Sequence, residues 1–135
     1  MMQPYAWLFA HGYLVIDDRT WSTAHRGPLA IHASKRFHTA YWAFLRDHTS
    51  WPLPEPKEFE QGGLVARVQM KECRGPTQPL GAPLQCIDLR RSHFGAGGHY
   101  GWVFSNAQAV PFTPLKGRLG LFEVADGLLE SSALA

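Results

Sequence analysis

The chain has 135 residues, 45% of them hydrophobic, and carries a formal net charge of +2 with its histidines neutral. This length suits one domain with its own core, and the sequence has neither a secretory signal pattern nor an apolar run that could span a bilayer. Two cysteines are too few for a disulfide scaffold, and the seven histidines lack metal-ligand spacing. We therefore expect a soluble, cytoplasmic protein without metal or other cofactor and without membrane association.

The N-terminal third of the chain predicts one helix followed by two strands. A short helix is expected over residues 3–10, because Pro4 suits a first helical position and Gly12 suits a helix end. Residues 14–20 are rich in β-formers and predict a strand. After a turn at Arg26-Gly27-Pro28, residues 28–34 alternate between apolar and other side chains, which predicts a half-buried strand.

The middle of the chain predicts a second helix and a third strand. Apolar residues recur at helical spacing over residues 36–48, and this face comprises Phe37, Ala40, Tyr41, Phe44 and Leu45. Three prolines exclude regular structure from residues 50–56. A strand follows Gly62-Gly63, with four residues expected to face the core, namely Leu64, Ala66, Val68 and Met70.

The last third predicts further strands between loops rich in proline and glycine. A short strand is expected over residues 86–89, a longer one over 100–110, and a closing one over 119–124 after the turn at Lys116-Gly117. The whole pattern indicates an α+β fold, a small β-barrel of five or six strands with two or three flanking helices. Residues 1–126 form this domain, and residues 127–135 are a C-terminal tail.

Polar and aromatic residues crowd the segment from residue 3 to residue 35. The segment opens with Gln3-Pro4-Tyr5-Ala6-Trp7, and residues 12–19 fit the spacing of a motif GxKxxExR. Further motifs are Trp21, Arg26-Gly27, Ala33-Ser34-Lys35, Gly62-Gly63-Leu64-Val65, Trp102-Val103-Phe104 and Pro114-Leu115-Lys116-Gly117. In their order and spacing these motifs resemble the ASCH (activating signal cointegrator homology) domain, and the resemblance runs from residue 3 to about residue 124.

The resemblance implies a PUA-like β-barrel and a cleft that binds nucleic acid. Two motif positions differ here, because Leu14 stands where the family has Lys and Asp17 stands where it has Glu, whereas Arg19 is retained. In some small enzymes with the ASCH fold, the motif Lys is implicated in amide hydrolysis of an acetylated cytidine. A leucine cannot act as nucleophile or base, so this amidohydrolase activity is the least favoured.

Basic residues are concentrated where the resemblance is strongest, since Arg19, Arg26, Lys35, Arg36 and Arg46 lie in a stretch that has no acidic residue. The residues expected to line a basic cleft are Gln3, Trp7, Asp17, Arg19, Thr20, Trp21, Arg26, His32, Ser34, Lys35, Arg67, Lys71, Ser105, Asn106 and Lys116. Several have structural alternatives. Trp7 could belong to the core, Arg19 could form only an ion pair with Asp17, and Arg26 could cap a turn.

Three functions remain open at this point. The first is binding of single-stranded RNA, or of DNA, by a monomer. The second is a metal-independent ribonuclease using the same cleft, for which Lys35, His32 and Ser105 have suitable chemistry as base or charge stabiliser. The third is a module that binds a small ligand or a protein in that cleft.

Overall fold

A computed structural model describes residues 1–19, 22–74 and 100–117 of the chain. The elements, in chain order, are α1 (Tyr5–Ala10), β1 (Ile16–Arg19), β2 (Gly27–Ala33), α2 (Thr39–His48), a short 3-10 helix (Pro56–Glu58), β3 (Gly63–Arg74) and β4 (Tyr100–Pro114). The predicted strands over 86–89 and 119–124, the tail over 127–135, and Thr20 and Trp21 lie outside the described residues.

The four strands form one antiparallel sheet in the order β1-β4-β3-β2. Within the described ranges β1 and β2 do not pair with each other, so these residues form an α+β fold on an open four-stranded sheet with two helices, and the predicted barrel is not closed there. The long central pair is irregular, because Asn106 and Ala107 of β4 together face the single residue Val68 of β3. Asn106 has a φ of 51°, a left-handed conformation that asparagine adopts more readily than most residues, and the extra residue bends the strand.

Helix α1 ends in a Schellman motif. Gly12 has a φ of 76°, its N–H donates to the Phe9 carbonyl at 3.2 Å, and the Tyr13 N–H donates to the Leu8 carbonyl at 2.9 Å. The apolar contact typical of this motif is a stack of Tyr13 on Trp7, with ring centroids 5.4 Å apart. The predicted helix end at Gly12 is therefore confirmed, and Tyr13 completes the cap. The strand predicted from residue 14 begins at Ile16, two residues later.

Helix α2 begins three residues later than the spacing predicts. Residues 36–38 are extended because they pair with Gln3: the Gln3 N–H donates to the Arg36 carbonyl at 3.1 Å, and the His38 N–H donates to the Gln3 carbonyl at 2.7 Å. His38 then caps the helix, its Nδ1 accepting from the Tyr41 N–H at 3.0 Å. The predicted apolar face is correct for Tyr41 and Leu45 but wrong for Ala40, which is exposed.

The core lies between the sheet and the helices, with α1 packed on β2, β3 and β4. The predicted inward face of β3 is confirmed, since Leu64, Ala66, Val68 and Met70 are all buried. Val65, predicted to face outward, is also buried and belongs to the same core. Val65 also lines the cavity beside α1 that is described below.

Candidate functional site

The motif residues of β1 form a half-buried ion pair. Asp17 and Arg19 alternate along the strand, so both side chains lie on one face of the sheet. The Arg19 Nε donates to Asp17 Oδ2 at 2.7 Å, and the guanidinium carbon lies 4.9 Å from the centroid of the Trp102 ring. The Arg19 side chain is 32% exposed and the Asp17 side chain 15% exposed. Arg19 is thus fixed in position by a carboxylate and an aromatic ring while part of it still reaches solvent.

Helix α1 contributes Tyr5 to this site. Burial, and then the negative charge of Asp17, raises the pKa of Tyr5 to about 12. The Tyr5 ring also stacks on Tyr41 of α2, with centroids 4.6 Å apart. The start of α1 therefore lies within electrostatic reach of the motif carboxylate.

The first residues of the chain connect β2 to the same place. The Met1 amino group donates to the His32 carbonyl at 2.9 Å, and the Ser34 N–H donates to the Met1 carbonyl at 2.8 Å. Burial and the Arg19 charge lower the pKa of the Met1 amino group, and the Asp17 charge opposes them. Met1 therefore contacts the end of β2 and lies within electrostatic reach of the motif residues of β1, although these are the two edge strands of the sheet.

A basic corner, defined by His32, Lys35 and Lys116, lies where β2 ends. The His32 Nε2 donates to the Leu115 carbonyl, and the Leu115 N–H donates to the Gly62 carbonyl at 3.1 Å. A Cβ placed on Gly62 would lie 3.4 Å from Lys35 Cε, so the Lys35 stem runs against this glycine. Lys35 and Lys116 are exposed. His32 and Lys35 therefore lie at the two ends of the Leu115–Gly62 backbone hydrogen bond, with Lys116 next to Leu115.

Two other predicted residues make local contacts. The exposed Arg26 donates through Nη1 to the carbonyls of Thr23, at 3.1 Å, and His25, at 2.8 Å, which is the turn-capping alternative. Ser34 accepts through Oγ from the Arg36 N–H at 3.3 Å and so shapes the end of β2.

The predicted residues of the central strands are spread along the sheet. Ser105 lies opposite Gln69, whereas His32 lies opposite Leu64, five residues earlier on β3, a separation of roughly 17 Å along the strand. This register places Ser105 apart from the basic corner. Three further predicted residues also lie along the sheet. Arg67 is half-buried, Asn106 is exposed, and Lys71 is exposed at a point where the pairing of β3 with β4 shifts register.

Gln3 and Trp7 lie on the other flank of α1, where they line a separate cavity of about 220 Å³. Gln3 is only 2% exposed: its Nε2 donates to the Glu60 carbonyl at 2.8 Å, and its Oε1 accepts from the Trp7 N–H at 2.9 Å. Its amide thus joins the start of α1 to the segment before β3. Trp7 is half-buried. This exposure is compatible both with packing against the core and with a place in a ligand-binding surface.

Sequence reasoning missed several residues that complete these sites. Trp102 matched the family pattern, but its place under Arg19 depends on the pairing of Asp17 with Trp102, which strand patterns do not reveal. Leu115 holds His32 through a backbone carbonyl, for which side-chain chemistry gives no signal. The cavity residues His11, Glu58 and Glu60 had no motif to identify them.

The part of the chain that the structure describes contains no group of three or more His, Cys, Asp or Glu side chains that could hold a metal ion. No helix in these same ranges is long and apolar enough to cross a membrane. A scan against models of known protein families finds no match. A search of curated proteins likewise finds no significant relative.

Proposed function

We propose that the protein is a nucleic-acid-binding domain of the ASCH type that binds single-stranded RNA in preference to DNA. In this proposal residues 1–126 form a PUA-like barrel that acts as a monomer in the cytoplasm. The RNA-binding surface consists of Arg19 and the basic corner. The four-stranded antiparallel sheet with its two helices is compatible with such a barrel.

The environment of Arg19 is the observation that carries the proposal. Asp17 fixes the guanidinium through Nε, and Trp102 supports it from one side. A guanidinium held in this way loses little conformational entropy when it binds a phosphate or a base edge. Arg19 also occupies the position at which the ASCH motif GxKxxExR has its arginine.

The basic corner supplies the second part of the surface. Lys35 and Lys116 are exposed, and His32 is oriented by the Leu115 carbonyl. Lysines at exposed positions neutralise phosphates and release counterions, which makes binding depend on salt. The N-terminal residues link this corner to Arg19, since Met1 contacts the His32 backbone and responds to the Arg19 charge.

The amidohydrolase activity of some ASCH-fold enzymes is not part of the proposal. Leu14 is 2% exposed and belongs to the hydrophobic core. An aliphatic side chain in that position has no group that could attack or deprotonate a substrate.

Fluorescence anisotropy with labelled single-stranded RNA and DNA tests the proposal. We expect saturable RNA binding at low salt, weakened about ten-fold by Arg19→Gln because one phosphate or base contact is lost. The matched control is Arg46→Gln, since Arg46 also pairs with an aspartate, Asp47, at 2.9 Å and lies 5.1 Å from a tryptophan ring, that of Trp42. Absence of RNA binding at low salt, or equal weakening by both variants, contradicts the proposal.

A metal-independent ribonuclease is the alternative, and it is favoured by the positions of His32 and Lys35 around the same Leu115–Gly62 backbone hydrogen bond. Attack by a 2′-hydroxyl needs a general base and a cation near the phosphate, and these two side chains have that chemistry. Ser105 lies elsewhere on the sheet and takes no part in this version. Incubation with RNA in the presence of a chelator should give cleavage that Lys35→Ala abolishes; intact RNA, or cleavage that Lys35→Ala leaves unchanged, excludes the alternative.

A further inference from the structure

The cavity on the outer flank of α1 has a chemistry unlike that of the RNA surface proposed above. Trp7 and Ala10 of α1 line it from one side, together with Gln3 before the helix and His11 at its C-terminal cap, whereas Tyr5 is not part of this lining. The opposite wall comes from the segment before β3 and from the central strands, and it includes Phe59, Val65 and Val110. Neither Asp17 nor Arg19 belongs to this lining.

Aromatic and apolar groups form most of the wall. Trp7 and Phe59 are in edge contact, with centroids 6.2 Å apart, and the His11 ring lies 4.6 Å from the Trp7 ring. Phe59, Val65 and Val110 are buried. Such a wall binds the methyl groups of a ligand through dispersion and apolar contact.

The charged groups that line the cavity are both acidic. Glu58 and Glu60 are exposed and belong to the lining, and none of the described residues in that lining is a lysine or an arginine. Partial burial lowers the pKa of His11, so its ring is uncharged at neutral pH and does not repel a cation. Two carboxylates without a cation disfavour a phosphate and favour a positively charged ligand.

We propose that this cavity binds a quaternary ammonium group. A primary ammonium has three N–H groups that need acceptors, whereas a methylated ammonium needs only apolar contact and negative potential. The cavity offers an aromatic and apolar wall, with carboxylates at exposed positions. Its volume of about 220 Å³ limits the ligand to a small head group rather than a nucleotide.

The test compares three small alcohols by NMR, following the indole N–H signal of Trp7. Choline carries the quaternary ammonium, 3,3-dimethylbutan-1-ol is its neutral isostere, and ethanolamine carries a primary ammonium. We expect a saturable shift with choline and at least three-fold weaker binding of the other two, about the size of one cation–aromatic interaction. Equal binding of choline and its neutral isostere, or no saturable shift with choline, overturns the proposal.

Variants assign the effect to the cavity. Glu58→Gln and Glu60→Gln should each weaken choline binding about two- to five-fold, as expected for a single partly exposed charge. Gln at position 58 can still close the capping box with Glu55. The matched control Glu55→Gln removes a charge from the same short helix but outside the cavity lining, and it should leave binding unchanged. If all three variants weaken binding equally, the ligand is not held in this cavity.

A second arm distinguishes the two sources of such a group. A short peptide carrying trimethyl-lysine is compared with the same peptide carrying unmodified lysine. Tighter binding of the methylated peptide than of choline supports a protein partner, and equal affinity supports a free small cation. A preference for the unmodified lysine peptide overturns the assignment to a quaternary ammonium.

Discussion

At the scale of single residues, the Asp17–Arg19 pair differs from the other ion pair in the described part of the chain. Both side chains of the Arg46–Asp47 pair are exposed to solvent, whereas the Asp17 side chain is only 15% exposed. Exposed pairs contribute little to stability, and partly buried charge-assisted hydrogen bonds contribute more. The sequence pattern Asp-x-Arg was open to a purely structural or a functional interpretation, and the geometry is compatible with both roles at once.

The two ion pairs give a direct stability comparison. Replacing Asp17 with Asn leaves Arg19 half-buried without its charged partner, and we expect a loss of about 1–2 kcal/mol in the free energy of unfolding. Asp47→Asn is the control and should cost less than about 0.5 kcal/mol. Urea denaturation of both variants measures the difference. Equal costs would show that the Asp17 pair is no stronger than a surface pair.

Tyr5 gives the protein a dependence of stability on alkaline pH. The pKa of Tyr5 is raised from 10.0 to about 12 in the folded state, so the unfolded chain loses this proton first. The contribution of Tyr5 to stability is fully present below pH 10 and is lost as the pH rises towards 12.

Urea unfolding between pH 8 and pH 11.5 should therefore show a steeper fall for the wild type than for Tyr5→Phe. The phenylalanine variant has no hydroxyl to titrate at this position, so its stability should fall less over the same range. Parallel curves for the two proteins would indicate that Tyr5 titrates with its ordinary pKa when folded.

At the scale of elements, local patterns located the helices and strands but missed contacts made over long distances. Pro4 and Gly12 correctly bracket α1, and alternation correctly identified the buried positions Ile31 and Ala33 of β2. The start of α2 could not be predicted, because residues 36–38 are held extended by Gln3, more than thirty residues earlier. The bulge at Asn106 likewise depends on how β3 and β4 pair.

The side chain of Gln3 joins the start of α1 to the segment before β3 through two hydrogen bonds. Gln3→Leu would leave the Trp7 N–H and the Glu60 carbonyl without their partner in a buried position, and we expect a loss of about 2–3 kcal/mol. Gln61→Leu is the control, since Gln61 is half-buried and donates to the Arg36 carbonyl at a longer 3.2 Å, and it should cost less than about 1 kcal/mol.

Hydrogen exchange identifies the cause of that loss. The Trp7 amide should lose protection in Gln3→Leu and keep it in Gln61→Leu. Retained protection of the Trp7 amide in Gln3→Leu would show that the side-chain amide does not hold the start of α1.

At the scale of the whole molecule, the described residues carry two surfaces of different charge. The first residues of the chain bring Arg19 towards the basic corner, whereas the outer flank of α1 carries an aromatic cavity with two carboxylates. Sequence reasoning grouped all fifteen candidate residues into one cleft, because a linear pattern does not show which side of a helix or sheet each residue occupies. The structure instead places Gln3 and Trp7 at the acidic cavity and spreads Arg67, Lys71 and Ser105 along the sheet.

The salt dependence of RNA binding tests the central claim most directly. The logarithm of the association constant should fall linearly with the logarithm of salt concentration, and each phosphate contact with single-stranded RNA adds about 0.7 to the slope. The double variant Lys35→Ala/Lys116→Ala should therefore lower the slope by about 1.4, while Lys57→Ala, an exposed lysine outside the surface, should leave it unchanged. A slope that is the same in the wild type, the double variant and the control would contradict RNA binding at the basic corner.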